Sequence, residues 1–390
     1  MKYVTRSAVA LAALLLFWLV APGQAVAGTT ALQVTPAGGP PQSVRGSDGR
    51  EHIAYNLVIT NAFTADATLK SLVVRGGGER LLALRGADLE FYTRPLGSEV
   101  PTTSVPKASA VAVFVDVALP RSAGRTVPRS LHHRISYKIP DDAPVHQIIS
   151  STTIDRPDLE VDRRPIEIAP PLRGDGWMNA NGCCDPDLNH RSTMLAENGA
   201  YVSPETFAID YIQIVDGRFY RGDGTSNSDW YGFGAGVHSV SAGKVVWASD
   251  ELPDVPPFIN LPDNPTVNDP VQFCGNGVVI KMRKHVFGHY CHMQPGSVRV
   301  EEGQRLRTGQ KLGRLGNSGN TSGAHLHFGL TDSAQTLGSN SLPFEIDRFR
   351  LQGNAEPSDT PGQLTITGEP RDMVRAHPLL KSVTAYGNDR

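Results

Sequence analysis

Ser322-Gly323-Ala324-His325-Leu326-His327-Phe328 holds two imidazoles two residues apart, directly after the turn-forming run Gly316-Asn317-Ser318-Gly319-Asn320-Thr321. Read as a strand, it projects His325 and His327 from one face and sends Leu326 and Phe328 into apolar packing on the other. The run before it turns the chain back into a sheet. Two imidazoles side by side can serve one site, one binding a metal and the other reaching the water or substrate beside it. A pair of half-buried sheet histidines is the plainer alternative, and the surrounding sequence weighs against it.

Seven of the twelve histidines fall between His190 and His327. In Tyr290-Cys291-His292-Met293, read as a strand, His292 shares a face with Tyr290 and His289 points the other way. On this reading His292 and His325 flank a metal, and His289 is a structural or surface residue. Phe207-Ala208-Ile209-Asp210-Tyr211 places a carboxylate inside an apolar, β-prone run, where it needs a cation or strong donors. Two histidines and one aspartate with an open coordination position form a standard catalytic zinc arrangement.

Working outward, the elements are short and β-like. His52–Thr60, Leu69–Val74, Leu81–Leu84 and Val111–Leu119 are rich in branched and aromatic residues, punctuated by Gly76-Gly77-Gly78, Pro95 and Pro101. They predict an immunoglobulin-like β-sandwich over residues 28–140. His132-His133 in this part has a surface or packing role, because neighbours in a strand face opposite ways. Residues 141–176 carry Pro157, Pro165, Pro170, Pro171 and Arg163-Arg164 and read as an extended linker. Residues 177–350 form the second, again β-rich, domain, interrupted by a Pro-rich insertion from Leu252 to Gln272. Residues 351–390 read as a tail without chemistry.

Composition sets the outer limits. In 390 residues there are 39 Gly and 29 Pro, which favours a turn-rich, mainly β protein. Lys+Arg number 37 against Asp+Glu 39, so no basic surface calls for nucleic acid. Lys2 and Arg6, the apolar stretch Ala8–Val20 and the small-residue site Ala25-Val26-Ala27 read as an export signal over 1–27. An uncleaved anchor is the alternative, but the stretch is short for a span. The expected product is exported, to the periplasm or beyond, with no stable membrane insertion after cleavage. Cys183, Cys184, Cys274 and Cys291 suit that oxidising compartment. Adjacent Cys183 and Cys184 are poor partners for each other. The expectation is one or two bridges from this pair to Cys274 and Cys291, or a Cys274–Cys291 staple. A four-cysteine zinc site is the rival.

Gly323-Ala324-His325-Leu326-His327-Phe328 resembles the His-x-His signature of lysostaphin/LytM-type zinc endopeptidases, which cut peptidoglycan peptides. Gly288-His289-Tyr290-Cys291-His292-Met293 is similar to the family's Tyr-x-His segment. Pro295-Gly296-Ser297-Val298, Gly303-Gln304 and Gly309-Gln310-Lys311-Leu312-Gly313 follow in the family's order, and Val237–Val246 with Gly243 looks like its strand–Gly–strand. The likeness covers roughly residues 189–330. It implies an antiparallel LytM-type peptidase domain, one Zn2+ per chain and peptidoglycan peptides as substrate. It further implies His327 and Asp210 as metal ligands and His292 and His325 as the catalytic pair.

The family's usual His-x-x-x-Asp spacing would put the last ligand at Thr206, and threonine cannot play that part. His190 in Asn189-His190-Arg191-Ser192 is the choice for it, with His238 the rival. Two other readings stay open: a non-catalytic exported module that binds the wall or regulates another hydrolase, and a phosphohistidine carrier, which export disfavours.

Overall fold

The structure is a computed structural model that describes residues 28–120, 126–186, 189–259 and 270–387. The expected export signal lies outside these residues, as do positions 260–269 of the Pro-rich insertion. The chain is mainly β, built from several sheets.

Two sheets share the N-terminal core. One runs in the order Leu32–Arg45, Glu51–Asn61, Ser109–Leu119, Thr93–Pro95; the other has Asp158–Glu160, Ser130–Lys138, Ala67–Gly76 and Glu79–Arg85 side by side. Period-2 alternation decides what goes where. Ile53, Tyr55, Leu57 and Ile59 of one strand, with Val111, Val113, Val115 and Val117 of its neighbour, enter the core between the sheets. Each such side chain removed from water contributes about 1.5–3 kcal/mol. The alternate residues, including His52, Ala54, Asn56, Phe114 and Asp116, are mostly buried too. Their face is covered by the C-terminal half: Ala54 packs in the C-terminal core. Of the expected pair His132-His133, the first is half-buried beside Asp158, and the second is buried against Tyr55.

The C-terminal half is organised on a 12-stranded sheet. Its central order is Gly174–Asn181, Ile209–Gln213, Leu326–Thr331, Val286–Met293, Asn276–Arg283, Gly243–Ser249. These neighbours are all antiparallel, and their register sets the site: Asp210 lies opposite His327, and His327 opposite Cys291. Ile209, Phe328 and Tyr290 occupy the next rung and belong to the core. Tyr290 is tied down further, its hydroxyl accepting the Val240 N–H at 2.9 Å. Among the described residues no helix is long and apolar enough to cross a membrane.

Three sequence expectations differ from what is seen. Residues 141–176 are not simply extended: Thr153–Ile154 and Asp158–Glu160 pair with Ser130–Lys138, and Ile166–Ile168 pairs with Phe344–Pro357. Sheet edges offer unpaired backbone groups, and these short segments satisfy them, with Pro157 and Pro165 just outside the paired residues. Of residues 351–390, read as a tail, the described ones complete the strand Phe344–Pro357 and supply Leu364–Thr367, Arg371–Ala376 and Ser382–Tyr386 to the large sheet. Leu351, Met373, Ala376 and Tyr386 sit in the main core, an alternation that the surrounding Pro, Gly and charge obscure. The third concerns the cysteines. Cys183 is bridged to its neighbour Cys184, against expectation, and Cys274 to Cys291. A cis peptide joins the adjacent pair. No cysteine is free, which removes the four-cysteine zinc reading.

Candidate metal centre

Two adjacent strands and one short turn deliver the converging groups. The strand Ile209–Gln213 carries Asp210, and Leu326–Thr331 carries His327 directly across from it. His190 comes from the four-residue helical turn Asn189–Ser192. His190 Nε2 lies 3.2 Å from Asp210 Oδ2, and His327 Nδ1 lies 3.0 Å from Asp210 Oδ1. The ligand atoms of His190, Asp210 and His327 all fall within 4.8 Å of one another. His325, two residues before His327, reaches the same carboxylate, with Nε2 at 3.4 Å from Oδ1. His292 completes the group: its ring centre is 4.6 Å from that of His325 and 6.0 Å from that of His327.

The outward nitrogens are fixed by what the inward ones do. A carbonyl can only accept, so each ring nitrogen facing one carries the proton. His190 Nδ1 donates to the Ala208 carbonyl at 3.2 Å, His292 Nδ1 to Ser318 at 2.7 Å and His325 Nδ1 to Gly323 at 2.9 Å. All three therefore turn an unprotonated Nε2 toward the site when neutral. Gly323 is required where it stands, because a Cβ there would lie 2.3 Å from the Trp230 ring. Asn181 braces the other side, donating from Nδ2 to Asp210 Oδ2 at 3.3 Å and accepting the His190 N–H at Oδ1.

Burial shapes the charges. His190 is 4% exposed, His292 3% and His327 7%. Burial alone would raise the Asp210 carboxyl, but the His190 and His325 imidazoles outweigh it and hold it well below the usual range. Burial would lower His190, yet the Asp210 and Glu205 carboxylates push it up to about 9. His325 moves up as well, burial being outweighed by Asp210. His292 goes the other way: burial, then the His325 and His327 charges, hold it well below the usual imidazole range.

The donor set fits zinc. Two imidazoles and one carboxylate are the nitrogen and oxygen ligands of open catalytic zinc sites. Tetrahedral bonds of about 2.0–2.1 Å set neighbouring donors roughly 3.3 Å apart, close to the 3.2 and 3.0 Å contacts of Asp210 with His190 and His327. The carboxylate, buried among three imidazoles, calls for positive charge, which a divalent cation supplies. The group opens onto a cleft of about 840 Å³, lined by His292, His325, Thr321 and Tyr201 and, from the N-terminal half, by Leu96 and Phe114.

Strand alternation misplaced two of the expected residues. By alternation His292 would share the core face of Tyr290, but it has φ +64, and the left-handed turn swings it to the metal face. His289 lies in line with Cys291 and His327 instead of opposite them. It is buried there, its Nε2 2.8 Å from Thr331 Oγ1, and burial lowers it to about 4. The rival ligand His238 is elsewhere, on Gly236–His238, with Nδ1 donating to the Gly309 carbonyl. Thr206 is buried and takes no part in the cluster. Sequence reasoning passed over Asn181, Glu205 and Ser318; no local pattern marks them, since each matters only through a partner distant in the chain. A second convergent group, His52, Asp116 and Cys184, has its sulfur closed in the Cys183 bridge.

Residues 230–338 match peptidase family M23. That span includes His292, His325 and His327 and leaves His190 and Asp210 upstream of it. The peptidoglycan DD-endopeptidase ShyA of Vibrio cholerae is 34% identical over 76 residues, which is 16% of this chain and 18% of that protein. The chain thus aligns with less than a fifth of that relative's length. Among solved structures, the catalytic domain of the prophage-encoded M23 protein EnpA from Enterococcus faecalis is 18% identical, covering 44% of this chain and 92% of its own, with a TM-score of 0.25. The lysostaphin catalytic domain from Staphylococcus simulans is 17% identical over 44% of this chain and 88% of its own, with a TM-score of 0.23.

Proposed function

The chain is a member of peptidase family M23 through residues 230–338, and from that premise we propose that it is an exported zinc-dependent endopeptidase acting on peptide bonds of peptidoglycan. One observation carries the reading: His190, Asp210 and His327 converge on a common point beside two further imidazoles, on an open cleft. The similarity to a peptidoglycan DD-endopeptidase supports the substrate class. The disulfides support an oxidising, extracytoplasmic compartment. The two N-terminal sheets, which share one core, we assign to an immunoglobulin-like unit.

His190 through Nε2, Asp210 and His327 through Nδ1 would hold the ion. Zinc bound there supplies a Lewis acid for the scissile carbonyl and acidifies water. The chain's own part is positional. His292 and His325 present Nε2 to the cleft from rings locked by the Ser318 and Gly323 carbonyls. One, neutral, takes the proton of the attacking water at Nε2; the other, protonated, donates from Nε2 to the carbonyl oxygen as negative charge grows on it. Asn181 keeps Asp210 and the His190 backbone together throughout.

Digestion of purified peptidoglycan tests this. Muropeptide release should stop with a chelator and return with zinc. Cleavage that ignores the chelator, or no cleavage with zinc supplied, contradicts the reading.

A further inference from the structure

His190 is the one metal-site group that no sheet delivers. Its turn, Asn189–Ser192, is four residues long, far below the length at which a helix holds itself in water. The Asn181 side chain and the Ala208 carbonyl hold it from the C-terminal half, and the next residue ties it to the N-terminal one. Arg191 is fully buried and runs away from the site into the N-terminal sheet. Its Nη2 donates to the carbonyls of Tyr55 and Val115 at 2.9 Å each, and its Nη1 donates to Asn56 Oδ1. The guanidinium carbon sits 5.5 Å over the Phe114 ring. Tyr55 and Val115 face each other across Glu51–Asn61 and Ser109–Leu119, so the acceptors are held by sheet register.

Asn56 has a second hold on the centre. Its Nδ2 donates to Ser203 Oγ at 2.8 Å, and Ser203 belongs to the segment that leads into the Asp210 strand. The N-terminal sheet thereby grips the chain close to both upstream ligands.

We infer that Arg191 is a positioning residue for His190, which makes the N-terminal sheet a structural part of the metal centre. This rests on the metal-centre reading above. Zinc–nitrogen bonds tolerate about 0.2 Å, so the turn that carries His190 needs a rigid support. Arginine suits the task because its planar fork meets several fixed acceptors at once, whereas lysine offers a single flexible point charge.

The test uses the full chain stripped of metal, titrated with Co2+ and then competed with buffered Zn2+, with near-ultraviolet circular dichroism reporting the fold. Arg191→Ala should remain folded and lose about 10- to 100-fold in zinc affinity, as for loss of other groups that orient a ligand. Arg191→Lys should fall between that variant and the unmodified chain. Tyr137→Phe removes a hydroxyl that joins Ala31 to Ser151 within the N-terminal half. It should lower the melting temperature and leave zinc affinity unchanged. If Arg191→Ala does not fold, Asn56→Ala carries the test, with an expected loss of about 10-fold. A folded Arg191→Ala or Asn56→Ala chain with unmodified affinity overturns the inference, as does an equal loss in Tyr137→Phe. An unmodified chain that takes up no metal removes the metal-centre reading itself, and the inference falls with it.

Discussion

Asp210 and His327 stand opposite each other on neighbouring antiparallel strands, with Asp210 Oδ1 3.0 Å from His327 Nδ1. Register alone produces this pair: a one-residue slip of either strand would turn its own polar side chain into the core and bring Ile209 or Phe328 to the cleft. The apolar residues that alternate with them, fully buried on the far face, are what hold the register. The chemistry of the site thus depends on the hydrophobic pattern of strands that carry it.

The two imidazoles that bind no ion in this account should be separable from those that do. His325→Ala keeps His190, Asp210 and His327 and should retain one zinc per chain by elemental analysis. Its turnover on peptidoglycan should fall on the order of 10²–10⁴-fold. His292→Ala should behave alike. Full turnover in either variant with zinc in place would remove that residue from the catalytic pair.

The bridge between Cys274 and Cys291 closes a loop of sequence separation 17 beside the site, and the Cys274 carbonyl accepts the His292 N–H at 2.8 Å. Replacing both cysteines by serine should cost about 3 kcal/mol of stability through the freedom regained by the unfolded chain. Denaturant unfolding measures this. An unchanged midpoint, or free thiols at these positions in the isolated protein, would contradict it.

His377 should make the protein acid-sensitive. It is fully buried between Phe344 and Phe207, with Nδ1 donating to the Phe344 carbonyl at 3.0 Å. Burial lowers it from 6.5 to about 4. Between those values the unfolded chain binds a proton that the folded chain refuses, so stability falls as pH drops below about 6.5 and levels off near 4. The full loss from this one group is roughly 3 kcal/mol. His377→Phe removes the titration, and its unfolding free energy should depend less on pH across that window. Identical slopes for the two proteins would refute the assignment.

Much of the centre was legible in the sequence because its logic is local. Asp210 stands out as a carboxylate in an apolar run, and His325 and His327 as a pair with strand spacing. His190 was reached only through a family resemblance and by excluding Thr206, since nothing in Asn189-His190-Arg191-Ser192 reveals what it packs against. His292 shows the limit of alternation, because one left-handed residue reverses the face on which a side chain emerges. The role of residues 351–390 was hidden for a related reason. Their pairing partners lie at 344–357 and 174–181, and Pro357, Gly362 and Gly368 masked the apolar positions between them. Arg191 was invisible: a charged residue reads as surface until the carbonyls that receive it are known.

Anomalous diffraction at the zinc edge from zinc-loaded crystals locates the ion. One strong peak per chain is expected, bonded to His190 Nε2, an Asp210 oxygen and His327 Nδ1, with His292 and His325 close by and unbonded. A peak held by other residues, or no peak in protein supplied with zinc, would contradict it.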